Sequence, residues 1–409
     1  MNDDIIKTNK VFAVFFSLFF TLYQFPIVQA ILFMLIGGYT LIDVSKSKSV
    51  KFDRKKIVFI FAWFGLFVGY VILSSHWAIG VDYNSKTVTT LVRMLFIGGM
   101  IFLYSNSKEK AISVMKSYVF GVVFMCIIVV LFTPPSLYGV EYGTVTFGDV
   151  IKQHRNIIGG AAAETILFTL LLNKISNARF NYYKIIISFL FFVIIISGSR
   201  GAIIELLFFF LVYFLFNHKK RKIYEFIPII LIGIIVCIAI MFNIKYLREE
   251  ILDRFIGMIN TIGGSTTSDG SVYSRALLKK VAMELFHERP ILGTGVDGVV
   301  VFLTQHPRYY GYYFRAVYSH CNYTEIAADF GIIGLAIWYM PLLIIIKKMI
   351  CKIKKSEIIK YLLCILIAII LIDIYKIPWG SYPSICSYFC IISLIISFLI
   401  ENKDVKINS

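Results

Sequence analysis

Apolar residues in this chain fall into long unbroken runs, separated by short stretches that are polar and mostly basic. The runs are continuous rather than alternating, which predicts helices and argues against a transmembrane barrel. Each is roughly 16–22 residues long, enough to cross a bilayer as a helix. Twelve spans are predicted, near residues 10–25, 27–44, 57–75, 87–104, 111–132, 156–173, 183–198, 201–217, 224–243, 322–346, 357–375 and 382–400. The first run lacks an obvious small-residue cleavage site and leads straight into the second, which fits a retained span better than a cleavable signal. The fold class that follows is an all-α polytopic membrane protein.

Composition supports this. The chain is 58% hydrophobic and only 16% charged over 409 residues, with mean hydropathy +0.80, which excludes an ordinary soluble domain. A net charge of +17 would suggest a nucleic-acid partner in a soluble protein. Here the basic residues sit between spans, so the membrane accounts for them and no nucleic acid is expected. Lys46, Lys48, Lys51, Arg54, Lys55 and Lys56 follow the second span. Lys219, Lys220, Arg221 and Lys222 follow the eighth, and Lys347, Lys348, Lys352, Lys354 and Lys355 the tenth. The positive-inside rule makes these loops, and with them both termini, cytoplasmic. The seven cysteines are scattered, and Cys321 alone is assigned to a polar loop, so neither a disulfide framework nor a metal site is implied.

That topology gathers polar chemistry on the outer face: His76, Arg93, His154, Arg155, Arg200, Lys376 and the whole segment 244–321. The chain therefore divides into a membrane bundle over 1–243, an outer segment over 244–321, and a second bundle over 322–409. Within the outer segment, Lys245 to Ile259 reads as an amphipathic helix, Gly263 to Ser271 as a flexible link, and Ser274 to Glu288 as a second amphipathic helix ended by Pro290. Arg308 and Arg315 lie among Tyr309, Tyr310, Tyr312 and Tyr313, a basic aromatic patch. The stretch Gly293-Thr294-Gly295-Val296-Asp297-Gly298 fits a dinucleotide-binding pattern by letter, but not in a strand–turn–helix context, and is set aside.

The strongest candidate for chemistry is His320, at the junction between the outer segment and the tenth span. Asn322 is read as the N-cap of that span and Glu325 as the other half of a capping box. A helix N-terminus disfavours positive charge, so the imidazole is expected to be neutral and able to take a proton from a hydroxyl. The alternative is a histidine that only caps or packs. Arg200, in the tight turn Ser197-Gly198-Ser199-Arg200-Gly201, could bind phosphate oxygens through its planar guanidinium, or simply snorkel to the interface. Arg275, Arg308 and Arg315 could add charge around the same anion. His154-Arg155-Asn156 opens the sixth span, where free backbone N–H groups suit an anion. Glu164 and Glu205 are intramembrane carboxylates, expected to hold a neighbouring arginine, and Asp373 with Lys376 is a weaker pair of the same kind.

Three separated segments resemble one family, the O-antigen polymerases and ligases. They are Ser197-Gly198-Ser199-Arg200-Gly201-Ala202, then Arg275 with Glu288-Arg289-Pro290-Ile291-Leu292-Gly293-Thr294-Gly295, then His320-Cys321-Asn322-Tyr323-Thr324-Glu325 through Gly331-Ile332-Ile333-Gly334. His154-Arg155-Asn156 is similar to the family's polar entry to a middle helix. The resemblance implies a GT-C-type glycosyltransferase of the bacterial inner membrane, acting on its periplasmic face. It implies undecaprenyl-diphosphate-linked oligosaccharides as donor and acceptor, membrane lipids as surroundings, and no cofactor or metal, and it admits a chain-length regulator protein. On this chain it implies that Arg200 and Arg275 grip the diphosphate, that His320 activates the acceptor hydroxyl, and that transfer proceeds with inversion. A polymerase joining O-antigen or capsule repeat units is favoured over a ligase, because the ligase-like segments match loosely and polymerases are the more divergent group. A lipid-linked oligosaccharide flippase is the rival from another class, weakened by the absence of a clear internal repeat and by the one-sided polar residues.

Overall fold

The structure is a computed structural model that describes residues 3–46, 54–80, 84–135, 138, 141–142, 145–176, 182–217, 270–306, 318–354 and 356–404. The expected ninth span near 224–243, the first amphipathic helix, most of the glycine–serine link, Arg308 and Arg315 lie outside these residues. The other eleven expected spans coincide with helices.

The N-terminal bundle comprises α1 (Asp3–Leu22), α2 (Pro26–Lys46), α3 (Arg54–Ile60), a π-helical turn (Phe61–Gly65), α4 (Leu66–Ser74), α5 (Asn84–Tyr104), α6 (Lys108–Phe132), α7 (Arg155–Ser176), α8 (Tyr182–Ser197) and α9 (Arg200–Asn217). Then follow α10 (Gly270–Glu288), α11 (Gly298–Gln305), α12 (Asn322–Ile350), α13 (Glu357–Leu371) and α14 (Tyr382–Asp404). Among the described residues, seven helices are long and apolar enough to cross a membrane. Among the described residues, the strands are a two-residue antiparallel ladder, with Glu141 opposite Thr146 and Tyr142 opposite Val145. The second outer helix begins at Gly270, inside the stretch expected to be a link. Cys321 is buried, and among the described cysteines Cys351, at the end of α12, is the exposed one.

Helix pairing follows close backbone approach, as expected where lipid removes the hydrophobic driving force between helices. The helix α7, which carries the run Gly159-Gly160-Ala161-Ala162-Ala163, packs on α8 and α9. A Cβ on Gly159 would lie 2.3 Å from the Cβ of Ser199, so glycine lets the Ser197–Arg200 turn settle onto α7. That contact brings Arg200 beside the N-terminal end of α7.

The tenth expected span is not one continuous helix. At Gly331 the backbone takes φ 62° and ψ −163°, which breaks α12 and leaves backbone groups without helical partners. The loop Pro290–Gly295 fills the break. Thr294 and Gly295 donate their N–H groups to the Ala328 and Asp329 carbonyls at 2.9 and 2.8 Å. Ile332 donates back to the Pro290 carbonyl at 2.9 Å, and the Asp329 carboxylate accepts from the Val299 N–H at 3.0 Å. Such broken backbone at membrane depth persists only where protein satisfies it. The glycine-rich stretch that looked like a nucleotide motif is therefore the plug of a helix break. The Tyr70 hydroxyl and Ser74 Oγ of α4 secure the same loop, through the Leu292 carbonyl and the Val296 N–H.

Candidate active site

One end of the bundle carries a cavity of about 710 Å³. Its walls come from four places distant in sequence: the start of α7 with His154, Arg155 and Asn156; the turn into α9 with Ser199, Arg200 and Glu205; α10 with Ser274 and Arg275; and the segment Tyr318–His320. The link between α13 and α14 closes it with Tyr375, Lys376, Ser381 and Ser384. The structure thus brings together every described residue put forward for direct contact with substrate: His320, Arg200, Arg275, His154, Arg155 and Asn156. Glu205 also lines the cavity, whereas Asn322 and Glu325 support it from behind.

His320 is held in an unusual conformation. Its φ is +57°, and its ring lies 4.4 Å from that of Tyr318. A non-glycine residue in this region needs external support. Glu325 supplies it, because its buried carboxylate accepts the Ser319 N–H at 2.6 Å, while Ser319 Oγ donates to the Cys321 carbonyl at 3.0 Å. The capping box expected here is thereby corrected. Cys321 is the N-cap, Glu325 reaches back past it to Ser319, and Asn322 is the first residue of the helix. The reason is that the Asn322 amide is committed elsewhere. It donates to Tyr339 at 2.8 Å and to Asp373 at 3.1 Å, and accepts from Trp379 Nε1 at 2.9 Å. Asn322 thus ties the histidine segment to the segment that carries Lys376.

Electrostatics keep the imidazole neutral. Burial is the largest cause, followed by the positive charge of Arg275 and then by the nearby His154 and Lys279, and together they push the His320 pKa down to about 4. Lys279 is itself lowered by burial and by Arg275, and lies over the Tyr375 ring at 5.2 Å. His154 is the side-chain cap of α7, since its Nδ1 accepts the Asn156 N–H at 3.2 Å. One backbone donor expected to be open to an anion is therefore occupied.

Lys376 is the residue that the sequence undervalued. It is not an ion-pair partner of Asp373, whose carboxylate accepts from Asn322, Tyr339 and Tyr388. Its ammonium instead meets the buried Glu164 and lies 3.4 Å from Glu205. Burial alone would lower its pKa, but these carboxylates outweigh it and hold the amine charged. The Tyr118 hydroxyl donates to the second oxygen of Glu164 at 2.9 Å. The polar cluster from Tyr375 to Ser381 between two apolar runs was the available signal. Among the described residues no group of three or more His, Cys, Asp or Glu is placed to hold a metal ion.

The fold and cavity define a polytopic membrane protein with a cation-lined cavity around one neutral imidazole. Residues 185–339 match the model of the O-antigen ligase family, in agreement with the resemblance that the motifs carry to the polymerase and ligase family. The matched segment includes Arg200, Arg275 and His320, while Arg155 and Lys376 lie outside it. No curated protein matches the chain.

Proposed function

We propose that this protein is a GT-C-type glycosyltransferase with twelve spans and both termini in the cytoplasm. In this reading it works on the periplasmic face of a bacterial inner membrane and transfers a saccharide from undecaprenyl diphosphate to the hydroxyl of a second saccharide. The observation that carries the reading is the shared cavity, in which three arginines and Lys376 surround a histidine that has been kept neutral.

In the reaction, an imidazole nitrogen of His320 removes the acceptor proton as the acceptor oxygen bonds to the anomeric carbon. The bond from that carbon to the diphosphate oxygen breaks, and the electron pair leaves with undecaprenyl diphosphate. Arg200, Arg275 and Arg155 stabilise that developing charge in a partly desolvated site. Attack opposite the leaving group inverts the anomeric centre.

A polymerase uses a second lipid-linked repeat unit as acceptor, and this is the favoured activity. The description of the matching family favours a second reading, a ligase that delivers the glycan to lipid A-core. Deletion of the gene in the native bacterium separates them on a glycolipid gel. Core bearing a single repeat unit indicates the polymerase, and bare core with long chains left on the carrier indicates the ligase. His320→Ala should abolish the product at normal membrane abundance. Unchanged product and chain length would overturn the assignment of His320, and lipid-linked units trapped on the inner leaflet would favour the flippase.

A further inference from the structure

A smaller chamber of about 230 Å³ adjoins the cavity and shares Ile157, Gly380 and Ser381 with it. The turn that leads into α7 walls both, since Lys152 and Gln153 line the chamber and His154 lines the cavity. Among the described residues no carboxylate lines the chamber, and Lys152 carries the charge there. Lys152 is exposed and takes φ +54°. It closes the short turn Asp149–Ile151 by donating its N–H to the Asp149 carbonyl at 2.9 Å, while the Gln153 N–H donates to the Gly148 carbonyl at 3.2 Å. Glycine or asparagine would adopt this backbone at little cost, whereas lysine is strained in it. Among the described residues three non-glycines have positive φ: His320, Asp297 and Lys152. Strain of this kind gathers at functional sites, and two of the three line the cavity and the chamber beside it.

Arg93 adds a second cation. It lies on α5 between Thr90 and Met94, which line the chamber, and it is exposed. It is also close enough to Tyr382, another lining residue, for its charge to act on that hydroxyl. Among the described residues neither cation has a carboxylate partner. Two accessible cations beside a polar chamber that lacks an acid favour an anion, and Thr90, Gln153 and Ser381 supply further donors. Thr90 and Tyr382 stand near the starts of α5 and α14, two helices long and apolar enough to cross a membrane, which puts the chamber at the depth of lipid headgroups. We infer that the chamber is a second anion site, which takes the phosphate of a membrane lipid beside the main cavity. Two lipids bring this chemistry: a phospholipid of the bilayer, and a second lipid-linked substrate that serves as acceptor. The second source rests on the glycosyl-transfer reading above, whereas the anion site itself does not.

The test titrates inorganic pyrophosphate into the full-length protein, purified in a maltoside detergent whose headgroup holds no phosphate, and reads stoichiometry and Kd by calorimetry. Wild type should bind pyrophosphate at two sites. Lys152→Gly removes the ammonium and relieves the strained backbone, so its melting temperature should not fall, and Lys152→Asn repeats the change with a side chain that also accepts the conformation. Combined with Arg93→Gln, either variant should weaken one site at least about tenfold and leave the other unchanged. Arg200→Gln should weaken the other site alone. A single wild-type site, weakened by Arg200→Gln and untouched by the double variants, would overturn the inference and leave the reading of the main cavity standing. A single site weakened by the double variants and untouched by Arg200→Gln would uphold the chamber and count against that reading. Competition then separates the two lipids. Displacement of the chamber's pyrophosphate by phosphatidylglycerol indicates a phospholipid, and displacement by undecaprenyl diphosphate alone indicates the lipid-linked substrate. Displacement by neither would overturn the inference.

Discussion

Replacing Arg275 by Gln should change the pH dependence of the reaction in a direction fixed by the structure. His320 must be neutral to accept a proton, and its pKa near 4, against an ordinary 6.5, means that the base form survives well into the acid range. The displacement of about 2.5 pH units corresponds to about 3 kcal/mol by which the site disfavours the imidazolium. Arg275 is the second cause after burial, so its removal can return at most half of that displacement. The assay is kcat/KM against pH, which reports the free enzyme. Wild type should lose activity only as the pH falls through about 4. Arg275→Gln should show the same limb at higher pH, below the midpoint between 4 and 6.5. A bound diphosphate would offset the same positive charge, so the limb in kcat should lie above that in kcat/KM. Because the unfolded chain binds a proton on this residue near pH 6.5 and the folded chain only near 4, stability also falls as the pH drops through that window. Melting curves at each pH must therefore show the protein folded. A limb that stays in place or moves to lower pH in Arg275→Gln would refute the electrostatic account of His320.

Three further outcomes follow from the geometry. Gly331→Ala should destabilise the protein by about 2 kcal/mol or more, since a Cβ there would sit 2.2 Å from the Ile291 carbonyl oxygen at positive φ, and an unchanged melting temperature would contradict this. Lys376→Met should cost about 3–5 kcal/mol by leaving Glu164 and Glu205 buried without their cation, and adding Glu164→Gln and Glu205→Gln should restore much of the lost thermal stability. Glu325→Ala should lower kcat roughly 100-fold through loss of His320 positioning, while Glu325→Gln, which still offers an acceptor to the Ser319 N–H, should retain most activity. Equal kcat values in these two variants would rule out the positioning role.

The physical difference between hydropathy and contact explains what could be read from the sequence alone. Apolar runs and basic loops determine where a chain crosses a membrane, since each depends only on residues near one another in sequence. The helices from α1 to α9 and from α12 to α14 were accordingly evident, as was the concentration of histidine and arginine at one end. The sequence also singled out His320, Arg200 and Arg275, because polar residues at helix ends in an apolar chain are conspicuous. What it could not determine was which of these ends meet. The meeting of Arg200 with the start of α7 depends on Gly159 allowing contact with Ser199, and the plugging of the Gly331 break by Pro290–Gly295 depends on backbone hydrogen bonds between segments. Neither leaves a periodic trace. For the same reason the partners of Asn322 and Lys376 were misassigned. Local spacing made one a helix cap and paired the other with Asp373, whereas the folded chain offers Asp373 and Trp379 to the first, and Glu164 and Glu205 to the second. In a low-dielectric interior a buried polar group takes the partner that packing brings within reach, and only tertiary structure decides which partner that is.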